Sequence, residues 1–304
     1  MRVSRWGWSP YETMEDRARE AEEVSRVADV VADRTDAEVV VVHSKVEAGR
    51  SLIRDAPSMK LLVTTTSGTD HIDLGAMADA GVSVCRLPLA RRDAVVEASL
   101  GMLIWGMRRF GQMSAWGEAG HWGRGDLPAL EIPTIRGARV GVVGLGVIGS
   151  EMASRLRMLG ATVYGVDPMV EIEGCTASSL DEVFNECDAV TLHCSLNATT
   201  RGFVNERRIQ AARRGLVLVN TARGPLIDVP AAVAAARAGQ LGALCLDVFP
   251  EEPTDLKEFT SPNVFVSPHA AGMHRDLSRR VREGLSAAIR SFDVTGQPPY
   301  AVAR

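Results

Sequence analysis

Apolar positions in the first ninety residues fall into short blocks separated by longer charged stretches. Ala37 to His43 (AEVVVVH), Leu61 to Thr66 (LLVTTT) and Val82 to Leu87 are apolar, β-branched runs with the length of a buried strand. Between them, Tyr11 to Ala32 is charged with apolar residues at helical spacing, and Leu74 to Ala80 predicts a short helix ahead of Gly81. From Ala94 to Arg109 the apolar residues run nearly all round, as in a helix buried on several sides. Gly111 to Pro133, rich in Gly, Trp and Pro, has no period of its own and reads as a long arm or loop.

The character changes at Ala138. ARVGVVG predicts a strand, followed by a Gly-rich turn and a helix over Ser150–Leu159. The strands ATVYGVD, AVTLHC, LVLVN, GALCLDVF and NVFVSP then alternate with helices at Leu180–Asn185, Glu206–Arg213 and Pro230–Ala238. Such alternation builds parallel sheets with both faces covered. The expected fold class is α/β with two Rossmann-like domains. A doubly wound parallel-sheet domain, residues 94–274, is inserted in a smaller flavodoxin-like domain formed by residues 1–93 and 275–304. The last helix, Arg275–Phe292, packs back on the first domain in this scheme.

Composition narrows the class. A chain of 304 residues, 46% hydrophobic and 24% charged, can bury substantial cores without a disulfide or metal staple. Its net charge of −4, with no long basic run, gives no electrostatic support to a nucleic-acid or anionic-membrane role. Five scattered cysteines without a CxxC pair fit a reducing compartment. The start, MRVSRWGWSPYE, lacks an apolar leader segment, and no apolar run reaches the roughly 18 residues of a spanning helix. A cytoplasmic chain without a metal site is expected.

Gly144, Gly146 and Gly149, with Val147 and Ile148 between the last two, form GLGVIG directly after a strand and before a helix. The first glycine permits a tight turn, the second a close approach of a pyrophosphate, and the third close packing of helix on strand. The helix amino end supplies N–H groups and a positive dipole end for phosphates. Asp167 ends the next strand, where an acid accepts from the adenosine ribose hydroxyls and repels a 2′-phosphate. Those residues favour NAD over NADP. Asp167 also suits a plain strand-end turn before Pro168.

Three further segments follow predicted strand ends: Arg223 in VNTARGPLID, Asp247 and Glu252 in LDVFPEEP, and His269 in VSPHAAG. Taken singly, a surface arginine, a solvated loop acid and a capping histidine would explain them. Together with TSGTDHIDL, AVVEA, GLGVIG with Asp167, and HCSLNATTRGFVN, in this order, the chain from about Leu61 to Gly272 resembles the D-isomer-specific 2-hydroxyacid dehydrogenases. That family includes phosphoglycerate, glyoxylate/hydroxypyruvate and formate dehydrogenases. The resemblance implies an NAD-dependent oxidoreductase transferring hydride between nicotinamide and C2 of a small anionic 2-hydroxy or 2-keto acid. It implies Arg223, Glu252 and His269 as the catalytic set, Asp247 near the nicotinamide, and cofactor contacts from Thr200, Thr221 and Ala222. It also implies a homodimer, formed through the helix from Ala94 and the arm to Pro133.

Elementary chemistry suits these roles. Reducing a ketone needs a proton donor at oxygen while hydride reaches carbon. His269 held by Glu252 is such an acid, because a nearby carboxylate favours imidazolium. Arg223 offers a rigid fork of donors for the substrate carboxylate. Backbone N–H groups at Ser67 and Gly68 would hold that carboxylate from the other domain, and closure would exclude water.

The chain also departs from the pattern. Arg91, beside Arg92, stands where the family often has Asn. It is expected either to bind a second anionic group on the substrate or to sit in solvent or an internal ion pair. Ser195 replaces the usual Pro after His193, so His193 reads as a packing residue. Trp6 and Trp8 either cap the pocket or pack under the first helix. Two alternatives remain: an NAD-sensing corepressor-like protein on the same scaffold, and an enzyme similar to the erythronate-4-phosphate dehydrogenases.

Overall fold

The computed structural model describes residues 1–302. The chain divides into two compact units, Met1–Arg91 with the chain from Met273 onward, and Arg92–Gly272. The first unit opens with β1 (Arg2–Trp6), α1 (Met14–Ser25), β2 (Asp29–Val30), β3 (Val39–Val42), α2 (Arg50–Asp55), β4 (Leu61–Thr64), α3 (Leu74–Asp79) and β5 (Ser83–Arg86). These strands pair in parallel in the order β2-β1-β3-β4-β5. The four valines of β3 are all buried and alternate between two cores, as a period of two requires. Val39 and Val41 join one cluster with Leu61 and Val63, whereas Val40 and Val42 join Leu62 and Met77 in the other.

The second unit follows through α4 (Leu89–Met107), whose first residues still belong to the first unit. It continues with α5 (Phe110–Glu118), β6 (Arg139–Val143), α6 (Val147–Met158), β7 (Thr162–Val166), β8 (Thr176–Ala177), α7 (Leu180–Glu186) and β9 (Ala189–Leu192). Then come α8 (Glu206–Ala211), β10 (Leu216–Asn220), α9 (Val229–Arg237), β11 (Leu241–Leu246) and β12 (Val264–Val266). The seven strands are parallel in the order β12-β11-β10-β9-β6-β7-β8. The order reverses between β6 and β9, the crevice where open α/β sheets hold ligands. Leu216 and Leu218 face the cluster that includes Ala232 and Ala236 of α9, and Val217 and Val219 face the one that includes Leu103 and Met152. The final helix, α10 (Leu277–Thr295), returns to the first unit and buries Val281, Leu285, Ala288 and Ile289 against Val39, Val41, Leu61 and Val63. Among the described residues no helix is long and apolar enough to cross a membrane.

Several expected boundaries shift. The helix expected over Tyr11–Ala32 is only Met14–Ser25, because Thr13 and Asp16 close its amino end in a capping box and the chain turns into β2. The helix expected from Ala94 starts at Leu89. The arm expected over Gly111–Pro133 is half helix: α5 occupies its start, and two 3₁₀ turns at Gly123–Gly125 and Leu127–Leu130 follow. The cofactor-side helix begins at Val147, not Ser150, so Gly149 lies inside it. The last helix covers Leu277–Thr295 instead of Arg275–Phe292. Strand β1, among the charged and aromatic first residues, was not expected at all.

Candidate active site

At the switch point, the glycine turn has the geometry a dinucleotide needs. Gly144 has φ +89°, and a Cβ there would lie 2.5 Å from the backbone nitrogen of Cys194, at the end of the neighbouring β9. A Cβ on Gly149 would lie 1.8 Å from the Gly144 carbonyl oxygen, so only hydrogen allows α6 to pack on the turn. Gly146 differs: a Cβ there meets nothing within 4 Å. It is also the N-cap of α6 and provides no side-chain cap. The amino end of α6, with Val147 and Ile148 in its first turn, is therefore open to an anion. Asp167 reaches this turn: one oxygen accepts from Leu145 N–H at 2.7 Å, and the other accepts from Met169 and Val170 N–H at 2.9 and 3.1 Å. The acid is thus fixed against the glycine turn and closes its own strand-end turn as well. Residues of this shape and chemistry fit NAD.

On the same unit, the acid and the histidine meet. His269 Nδ1 lies 2.7 Å from Glu252 Oε2, and Glu252 Oε1 accepts from the Phe249 N–H at 2.9 Å. Partial burial pushes the Glu252 carboxyl up. The hydrogen bonds from His269 and Phe249 and the positive charges of His269 and Arg223 outweigh it, and hold the carboxyl below its usual range. About half of the His269 side chain is exposed (52%), which leaves the far edge of its ring free to meet a substrate. His269 has φ 55°, a left-handed conformation costing a β-substituted residue about 1 kcal/mol. Buried Asp247 holds it there. The His269 N–H donates to the Asp247 carbonyl at 2.8 Å, while Ala270 N–H, Ala271 N–H and Ser267 Oγ donate to the Asp247 carboxylate at 2.8, 2.9 and 2.6 Å. The job visible for Asp247 is to shape the histidine loop.

Arg223 stands in extended backbone at the end of β10, with Nη1 donating to the Ala222 carbonyl at 2.7 Å. Buried Asn220 pins this loop from both sides. It donates to the Arg223 carbonyl at 2.9 Å and accepts from Ala222 N–H at 3.0 Å. Thr221 is buried with its hydroxyl 2.8 Å from that of Ser99 on α4. Gly224 decides how the loops approach: a Cβ there would lie 1.9 Å from the Phe249 carbonyl carbon, so the arginine loop seats directly on the backbone that leads to Glu252. Asn220, Ser99, Gly224 and Ser267 were not singled out from the sequence. A polar Asn closing the apolar run LVLVN was the available signal, since a buried amide requires partners.

The remaining candidates are placed as follows. Thr200 lies in the turn after β9, where its hydroxyl donates to the Ser195 carbonyl at 2.8 Å. His193 bonds to Thr191 at 2.9 Å, and burial pushes its imidazole down to about 4, consistent with packing. Ser67 and Gly68 follow β4 in the first unit. Thr66 Oγ1 donates to the Gly68 carbonyl at 3.0 Å, and Ser67 Oγ has no hydrogen-bond partner among the described residues. Arg91 is also in the first unit, half-buried, and donates to the Thr65 carbonyl, so the expected internal ion pair is not formed. Arg92 pairs with Asp93 at 2.8 Å. Trp6 packs in the core beneath Arg34, and Trp8 lies under the guanidinium groups of Arg5 and of Arg17 from α1.

Residues 100–271, more than half of the chain, match the family model described as "D-isomer specific 2-hydroxyacid dehydrogenase, NAD binding domain". The chain belongs to this family. The dehydrogenase is 33% identical over 247 residues to a putative 2-hydroxyacid dehydrogenase of Haemophilus influenzae, covering 76% of this chain and 77% of that one. It is 32% identical over 241 residues to D-3-phosphoglycerate dehydrogenase of Methanocaldococcus jannaschii, covering 77% of this chain and 45% of that one. The chain spans about half the length of the D-3-phosphoglycerate dehydrogenases of M. jannaschii and Rattus norvegicus. In fold it is similar to D-lactate dehydrogenase from Aquifex aeolicus, solved with NAD and lactic acid, with TM-score 0.81, 24% identity and full coverage of both chains. Membership makes the chain an NAD-binding oxidoreductase of the 2-hydroxyacid class.

Proposed function

We propose that the dehydrogenase interconverts small 2-keto and 2-hydroxy acids with Arg223, Glu252 and His269 as its catalytic side chains. Bound nicotinamide supplies or accepts the hydride. With the Nδ1 proton donated to Glu252, the Nε2 edge of His269 delivers a proton to the substrate oxygen in reduction and takes it back in oxidation. Glu252 fixes the ring orientation and favours the protonated imidazole. Arg223 holds the substrate carboxylate with its planar fork of donors. For Ser67 and Gly68 we propose backbone contacts to a substrate carboxylate, and for Asp247, Thr200, Thr221 and Ala222 contacts on the cofactor side. Asp167, fixed against the glycine turn, supports NAD over NADP.

The Glu252–His269 contact at 2.7 Å, on the unit that carries the uncapped glycine turn, carries this reading. NADH consumption with glyoxylate, pyruvate and hydroxypyruvate tests it, with NADPH as the comparison. Turnover with at least one acid and a preference for NADH are expected, and inactivity toward all of them overturns the reading.

A homodimer is proposed as well. No residue of α5 is buried, although it carries Phe110, Met113 and Trp116, and Trp122 beyond it is 85% exposed. A face of that kind is ordinarily covered by a partner. Sedimentation at the mass of two chains is expected, and a stable particle of 32.7 kDa contradicts it. The free thiols of all five cysteines support a cytoplasmic setting.

A further inference from the structure

The first unit holds a cavity of its own, of about 430 Å³, walled by the β1–α1 connection, α1, Arg91 and the start of α10. Its size suits a small ligand. The charges on its wall can be matched pair by pair. Glu12 accepts from Arg5 Nη2 at 3.3 Å and from the Ser9 N–H at 2.6 Å. Asp16, bonded to Thr13 in the cap of α1, lies 3.7 Å from Arg282. Asp276 pairs with Arg275 at 3.8 Å, Arg279 with Glu283 at 2.7 Å, and Arg19 with Glu15. Every acid on the wall has a cation.

Arg91 has no acid. Among the described residues its guanidinium forms no ion pair, and its one hydrogen bond goes from Nη1 to the neutral carbonyl of Thr65. A guanidinium carries five N–H donors. Burial works against its charge, opposed only by Glu12, which Arg5 already holds. A half-buried guanidinium with four N–H donors unused and no acid beside it favours an anion arriving at this wall.

We propose that this cavity binds the anionic group of a small molecule, a carboxylate or phosphoryl group, with Arg91 as anchor. That group is either the distal anion of a dianionic 2-keto acid, a source that rests on the reaction proposed above, or a free oxyanion, which does not depend on it.

Two measurements on the full chain separate these sources. Inorganic phosphate is titrated by calorimetry into the native chain, Arg91→Gln and Arg91→Lys. KM values are measured for 2-oxoglutarate and oxaloacetate relative to glyoxylate in the same three proteins. For a substrate anion, Arg91→Gln raises the dianion-to-glyoxylate KM ratio by about 10- to 100-fold, the loss expected of a charge-assisted bond, with partial rescue in Arg91→Lys. For a free oxyanion, phosphate affinity falls at least about tenfold in Arg91→Gln while the ratio stays constant. If neither phosphate affinity nor the KM ratio responds to Arg91→Gln, the proposal is overturned. If no keto acid is reduced by the native chain, the reaction reading fails, and the phosphate titration alone still decides the site.

Discussion

The first strand of each sheet leads through a left-handed glycine into a helix, and the two turns end in opposite ways. After β1, Gly7 has φ +81°, and the following helix α1 is closed by Thr13 and Asp16, whose side chains bond each other's backbone N–H groups at 3.1 and 3.0 Å. After β6, Gly144 has φ +89°, and α6 opens on Gly146 with no side chain and empty space in front of it. Both helix ends carry the same dipole and the same unsatisfied donors. What differs is whether the chain satisfies those donors itself. A helix end left uncapped at a switch point is reserved for a ligand, whereas a capped one serves stability.

Substitutions at the two turns can break this contrast. Gly149→Val forces a side chain against the Gly144 carbonyl and is expected to cost about 3 kcal/mol or more and to abolish NADH binding, read by denaturation and fluorescence titration. Normal NADH affinity in that variant would show that helix and turn do not pack as described. Gly146→Asp has opposite effects on stability and binding. A capping carboxylate leaves Tm unchanged or slightly higher, while charge repulsion weakens NADH at least about tenfold. A parallel fall in both would mean the open space is structural.

A smaller effect belongs to the acids around α1. Burial raises Glu20 from 4.5 to about 7, against the pull of Arg5 and Arg282 and with the push of Glu12 and Glu23. The native state therefore binds this proton more tightly than the unfolded chain. Its stabilisation is complete below 4.5 and is lost as pH rises through about 7. Relative to Glu20→Gln, the native chain should lose on the order of 1 kcal/mol between pH 5 and pH 8 in urea melts. Parallel stability curves would contradict the shift. Smallest of all, Thr13→Ala should cost about 0.5 kcal/mol and leave NADH affinity untouched, because that cap belongs to the first unit and not to the glycine turn.

Much of this was legible in the residues. GLGVIG placed the turn, its left-handed Gly144 and the close packing at Gly149, and Glu252 and His269, named from DVFPEEP and PHAAG, meet at 2.7 Å. Strand interiors were clear because β-branched runs bury on both faces. Helix ends were not, since capping by Thr13 and Asp16 depends on local side-chain geometry that periodicity ignores. Helix α5 was hidden because it buries none of its residues, so no core imposes a period on it. The loop clamps, Asn220 and Gly224, act through backbone contacts between segments far apart in sequence, which spacing does not encode. Arg91 stood out as a departure, but its lack of a carboxylate partner became visible only in three dimensions.

The central claim is that the imidazole steadied by Glu252 moves the proton that accompanies hydride transfer. Single-turnover NADH oxidation by His269→Ala, at saturating keto acid, tests it most directly, alongside NADH affinity measured by fluorescence. The expected result is a rate lowered about 10²- to 10⁴-fold with affinity for NADH within about twofold of the native chain. A rate within a few-fold of native would remove the histidine from the chemistry and end this account of the site.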